Sequence, residues 1–193
     1  MTQSDDRKVV GWESMMEKAA ERLRERTGAD LTEWNERVRE ANPASEPGLR
    51  SWLAEQGVGG YSQDLLVYER YGYPEFMLTK PQELIDEQYT DRPELRPICD
   101  AVLDAALSVG DVTVQARKTY ISLVSPKRTF AIVKASTKSR VDVGLNLPDA
   151  RPGGRLLAAK SLPKGTVRIA LSSVDEVDGE VTDLLCRCYE ANS

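Results

Sequence analysis

The residues best suited to chemistry in this chain are cations set two apart, with one carboxylate among them. Lys118, Tyr120 and Ser122 alternate along one segment, and Arg140, Asp142, Gly144 and Asn146 along another. Arg128 opens a neighbouring segment, and Arg168 lies between Val167 and Ile169. Side chains of an extended chain point alternately to opposite faces, so each alternating set shares one face. If these strands are neighbours, guanidinium groups, an ammonium group and an aromatic ring gather on one side of a sheet. Paired N–H donors would then grip a phosphate or carboxylate, a base could stack on Tyr120, and Gly144 would leave room for the ligand. The plainer alternative is a solvated face that meets acidic helices of the same protein. Asp142 reads chiefly as an ion-pair partner of Arg140, because one acid falls short of the pair that hydrolytic metal sites use. Phe130 and Ile132 share the parity of Arg128, so one of those two sets must turn inward.

What the chain lacks excludes whole classes of function. It has 193 residues and no histidine. Ser-His-Asp and Cys-His nucleophiles, His-ligated zinc and a histidine pH switch are therefore excluded. Three Cys cannot supply a four-thiolate zinc site in one chain. Cys186 and Cys188 are not a Cys-x-x-Cys pair, and the odd count argues for free thiols in a reducing compartment. The expectation is no metal, no cofactor and no catalytic residue. An enzyme would have to use Lys118 or Asp142 without a second group placed to help.

Composition is that of an ordinary globular protein, 40% hydrophobic and 30% charged. No apolar run approaches the length of a membrane span, and the residues MTQSDDRKVV lack the basic-then-apolar plan of a signal peptide. The expected location is cytoplasmic. The net charge of -5 conceals an asymmetry. Between Val112 and Arg168 stand twelve cations, Lys164 among them, against Asp142 and Asp149 only, a local balance of +10. The remainder carries -15. Such a split points to an anionic partner, or to two halves that neutralise each other.

The elements that would position these groups follow from periodicity. From Ser14 to about Tyr89 the pattern is helical: Ser14 with Glu17 and Asp30 with Glu33 have capping-box spacing, and Gly28 stops the first helix. Further helices are expected over about 47–56, from near Ser62 to Tyr71, and after Pro81. Leu49 to Tyr71 has the outline of a helix-turn-helix, but its second helix carries two acids and one base, so a packed hairpin fits better. Asp91-Arg92-Pro93 marks a boundary, after which Leu95, Ile98, Cys99, Val102 and Ala106 recur at helical spacing. Strands follow around 119–123, 128–134, 140–147 and 167–171, and Ser173 with Glu176 caps a last helix. Trp34 and Trp52 read as core. Tyr71 and Tyr73, beside Gly72 and Pro74, are candidates for a small-molecule pocket.

Certain of these segments resemble known families. Arg117-Lys118-Thr119-Tyr120, Arg128-Thr129-Phe130-Ala131, Arg140 to Leu145, and Ser172-Ser173 through Tyr189 are similar to a bacterial domain of unknown function, family 5655, over roughly Leu95 to Asn192. The first half resembles its partner, family 4287, through Thr27-Gly28, Glu33-Trp34, Trp52-Leu53 and Gly57-Val58-Gly59. That family carries a histidine and an Ala-Asn pair near this turn, where this chain has Gly60-Tyr61-Ser62-Gln63. Related C-terminal domains occur on restriction-type bacterial proteins, so the resemblance implies a nucleic-acid partner by association.

The expectation is therefore an α+β protein with a helical domain at 1–90. A domain at 91–193 follows, a small antiparallel sheet flanked by helices. Its function is expected to be non-enzymatic binding of an anionic ligand, nucleic acid or nucleotide, at Lys118, Tyr120, Arg128, Arg140, Asp142 and Arg168. Two alternatives stand beside it. One is a sequestering protein with a pocket between the halves near Tyr71, Tyr73 and Tyr120. The other is an interaction protein with self-neutralising halves. The oligomeric state is not legible.

Overall fold

The computed structural model describes residues 9–160, 162–163 and 165–193. Residues 1–8 and Lys164, used above in the signal-peptide reading and the cation tally, lie outside them. Contacts divide the chain into two units, Gly11–Thr79 and a second made of Lys80–Ser193 with the strand Val9–Val10.

The first unit is helical: α1 (Glu13–Thr27), α2 (Leu31–Ala41), α3 (Glu46–Glu55), α4 (Tyr61–Tyr71) and the single turn α5 (Glu75–Leu78). The Asp30–Glu33 capping box forms in both directions, at 3.0 and 2.8 Å, and starts α2. The expected Ser14–Glu17 box does not form. The helix begins one residue earlier, at Glu13, and the Ser14 hydroxyl instead donates to Gly11 O at 3.4 Å. Leu23, Trp34, Val38, Leu49, Leu53 and Leu66 close a common core. The Trp34 indole N–H donates to Thr27 Oγ1 at 2.8 Å, while its ring meets Trp52 edge-on. Leu65, Leu66 and Val67 are buried, so α4 is a packed member of a helical unit.

The second unit is a mixed seven-stranded sheet with helices. Its elements are β1 (Val9–Val10), α6 (Pro81–Glu87), α7 (Arg96–Leu107), β2 (Thr113–Ala116), β3 (Ile121–Val124), β4 (Thr129–Thr137), β5 (Arg140–Leu145), β6 (Leu157–Ala158), β7 (Val167–Leu171) and α8 (Gly179–Glu190). The strand order is β1-β2-β3-β4-β5-β7-β6. β1 runs parallel to β2, and every other pair is antiparallel, so the sheet is mixed where sequence periodicity indicated an antiparallel one. Two residues are too few to show alternation, which is why β1 has no periodic signal.

Register sorts the faces. Val114, Leu123, Ala131, Leu145 and Val167 form one row across the sheet, and Ala116, Ile121, Val133, Val143 and Ile169 the next. Every side chain in these rows is buried. α7 and α8 pack on each other, and α8 packs against β4. The opposite face carries Gln115, Ser122, Ile132, Gly144 and Arg168 in one row, then Lys134, Asp142 and Ala170. A register shift between Leu123 and Val124 leaves Phe130 as the extra residue of a bulge. Its ring packs edge-on against Tyr189 of α8, while Ile132 stays in register with Gly144. Both are fully buried, so Arg128 and Phe130 part company at the bulge.

The C-terminal turn is tied down by Asn192, 1% exposed. Its amide donates to Asn146 O at 2.8 Å and Cys188 O at 2.7 Å, its Oδ1 accepts from Asn146 Nδ2, and its carbonyl accepts from Ser125 Oγ. The final helix is capped by Asp178 and not by Ser173, which instead precedes a short 3-10 turn over Val174–Glu176. No described helix is long and apolar enough to cross a membrane.

Replacing Asn192 with Ala strands two buried carbonyls and the Asn146 amide together. The expected loss is about 2–3 kcal/mol of stability, read as a lower urea midpoint at unchanged slope.

Candidate functional site

The charged groups that the fold brings together lie on β4, β5 and β7. Asp142, 2% exposed, receives the Arg168 Nη1 donor at 2.7 Å on Oδ1 and the Arg140 Nη2 donor at 3.3 Å on Oδ2. The Arg168 Nε donates to Ala158 O at 3.2 Å, which fixes the guanidinium between the sheet edge and the carboxylate. Lys134 stands opposite Asp142 in register on β4. Three cations thus surround one acid, leaving a local charge of +2. A buried carboxylate costs several kcal/mol unless it is paired, and here two guanidinium groups offset that cost. Exposure falls in steps, with Arg140 35%, Arg168 17% and Asp142 2%. The acid is thus the most deeply buried member of the cluster and the two guanidinium groups lie nearer to solvent.

Beside this cluster lies a cavity of about 210 Å³, lined by Thr129, Phe130, Ala131, Gly144, Asn146 and Gly165. Gly144 is the register partner of Arg168. Gly165 has φ +120°, and a Cβ there would stand 3.2 Å from Leu145 N, so only glycine suits this wall. Asn146 is held by Asn192 and is therefore oriented before any ligand arrives.

The other expected site residues lie elsewhere. Lys118 and Tyr120 belong to the β2–β3 turn, closed by the Arg117 N–H on Tyr120 O at 3.0 Å. Arg128 belongs to the β3–β4 turn and donates to Ala191 O at 3.1 Å, at the end of α8. The four residues of β3 separate those turns by roughly 13 Å of extended chain, so Arg128 and Tyr120 sit at opposite ends of the strand. Because of these turns β3 starts at Ile121 and β4 at Thr129, later than the alternation from Thr119 and Arg128 implies. In the helical unit, Tyr71 is 45% exposed beneath the Arg70 guanidinium. The Tyr73 hydroxyl is hydrogen-bonded to Glu69, and burial, then that carboxylate, raises its pKa. Lys134, Thr129, Gly165 and Asn192 were not singled out from sequence. A plain hairpin centred on Lys138-Ser139 would put Lys134 opposite Val143, and the register shift between Ala135 and Thr137 brings it across from Asp142 instead, so the sequence pattern did not reveal it.

The thiols are inert in this arrangement. None of Cys99, Cys186 and Cys188 is in a disulfide, and burial pushes the Cys188 thiol up to about 12. Among the described residues no group of three His, Cys, Asp or Glu side chains could hold a metal ion.

The model of a family defined as a domain of unknown function, DUF5655, matches residues 85–192. The chain belongs to the DUF5655 family. The DUF5655 match takes in α7, the strands β2 to β7 and α8, and so contains the whole Asp142 cluster and its cavity. The helical unit lies outside it, and no match to family 4287 accompanies the resemblance there. No curated protein and no solved structure matches the chain.

Asp142→Asn should destabilise the protein by about 3 kcal/mol, since it strands Arg168 in a partly buried position. Arg140→Gln, at a third exposed, should cost under about 1 kcal/mol. Chemical denaturation of the two variants checks the contrast.

Proposed function

We propose that this DUF5655 protein is a non-enzymatic binding module whose sheet holds an anionic, phosphate-bearing ligand. Lys134, Arg140 and Arg168 are its gripping groups. The observation that carries the reading is the fixed geometry at Asp142. One buried carboxylate orients two guanidinium forks while leaving the cluster two charges in excess. Arginine forks match phosphate oxygens in pairs, and cations already held in place lose less freedom when they bind. Asp142 itself is engaged through both oxygens, which argues against its use as a general base. A nucleotide or nucleic acid supplies the phosphate this arrangement fits. Three cysteines outside any disulfide support a reducing, cytoplasmic setting.

Direct titration of the full chain with inorganic phosphate, adenosine monophosphate and a single-stranded oligonucleotide tests the proposal. Binding should weaken steadily as salt rises. Lys134→Ala and Arg140→Gln should each reduce it by about tenfold with the melting temperature nearly unchanged, as expected for a charge-assisted contact. Arg128→Ala should leave it intact. Absence of binding to all three probes at low salt would defeat the reading.

A further inference from the structure

The cavity beside the cation cluster has no part in gripping phosphate, and it says what else the ligand carries. We infer that the ligand is a small phosphorylated molecule with a single ring, its phosphate on Arg140 and Arg168 and its ring in the Gly144 cavity, and not a nucleic-acid strand. This rests on the anion-binding reading and narrows it.

Three observations support the narrowing. The first is size. A volume of about 210 Å³ equals that of about seven water molecules in the liquid. That is room for one ring or one pentose, between β4 on one side and Gly144, Asn146 and Gly165 on the other. The second is the chemistry of the lining. Thr129 and Asn146 bring polar groups, and Gly144 and Gly165 bring backbone without a side chain in the way. Such walls suit hydroxyl groups or ring-edge nitrogens. The third is the absence of a stacking platform. Strand binders combine a cationic groove with aromatic rings on which successive bases lie. The two described rows that meet at the cluster are Gln115, Ser122, Ile132, Gly144 and Arg168, then Lys134, Asp142 and Ala170, and no aromatic side chain stands in either. The nearest aromatic along the strands, Phe130, is fully buried against Tyr189. Ser122, Ile132 and Asp142 of this face are themselves buried, so it offers no open platform across which bases could spread.

The cavity and the cluster are joined by the Gly144–Arg168 pair, about 5 Å apart as register partners in an antiparallel ladder. That spacing suits a phosphate attached directly to the ring or its sugar. Gly144 lines the cavity itself, so a side chain added there would take up space meant for the ring.

The test compares inorganic phosphate, ribose 5-phosphate, adenosine monophosphate and a single-stranded oligonucleotide by calorimetric titration of the full chain. Ribose 5-phosphate, the single-ring probe, should bind about tenfold or more tightly than phosphate alone, about 1.4 kcal/mol, and at least as tightly as adenosine monophosphate and the oligonucleotide. Gly144→Ala and Thr129→Phe, both filling the cavity, should erase that advantage while leaving phosphate binding unchanged. Melting curves confirm that each variant folds. Thr129, half-buried at the rim, carries the test if Gly144→Ala does not fold. Equal binding of phosphate and ribose 5-phosphate would overturn the inference, as would an advantage that survives both substitutions. An oligonucleotide that binds best and ignores both substitutions would overturn it too. All three results leave anion binding standing, whereas silence from every probe removes both.

Discussion

A carboxylate at 2% exposure, held by two guanidinium groups, governs the layout of the sheet face. Asp142 is buried against Arg168 as well as Arg140, and Arg168 cannot reach it unless β7 lies beside β5 in the observed register. The short β6 contributes through Ala158 O, which takes the other arm of the same guanidinium. One ion pair therefore links three strands and sets the charge on this face. Apolar rows on the opposite face supply the driving force of burial, but they would tolerate other registers more readily than this pair does.

Charge takes on a different meaning once the units are separated. Residues 80–193 carry 16 Lys+Arg and 16 Asp+Glu, and residues 11–79 carry 8 and 13. The cations of the strands are thus balanced by acids of their own unit. Arg155 reaches Asp178 and Glu180 at the start of α8, and Arg96 reaches Asp86 and Asp100. At Lys134, Arg140 and Arg168 a single acid answers three cations. A local excess inside a neutral unit is a more specific feature than a basic half of a chain.

Much of this was legible in the residues. The alternation of Val141, Val143 and Leu145 located β5, and the stripe from Ile98 to Ala106 located α7, because both segments are long enough to repeat their period. Asp30 and Glu33 marked the start of α2 through a local bond that needs no tertiary partner. What could not be read depended on distant residues. β1 has two residues and borrows its identity from β2. β2 showed too little alternation to stand out, and the capping role passed from Ser173 to Asp178 because a 3-10 turn intervenes. Of the expected site, Arg140, Asp142 and Arg168 meet, since parity and neighbouring strands agree there. Lys118, Tyr120 and Arg128 do not join them, because two turns remove those residues from the ladder.

The placement of β1 bears on how the chain matures during synthesis. Val9–Val10 pairs with Val114 and Gln115, so the whole helical unit is spelled out between two partners of one sheet. That unit comes from an unbroken stretch and has all its core residues as soon as residue 79 has emerged. The sheet unit has to wait for the segment that carries Cys188 and Asn192, whose bonds to Phe130 O and Asn146 O close it. Vectorial translation would therefore give two folding events in a fixed order, early and local, then late and long-range. During the interval, the exposed apolar rows of β3 to β5 are the part of the nascent chain most in need of a chaperone.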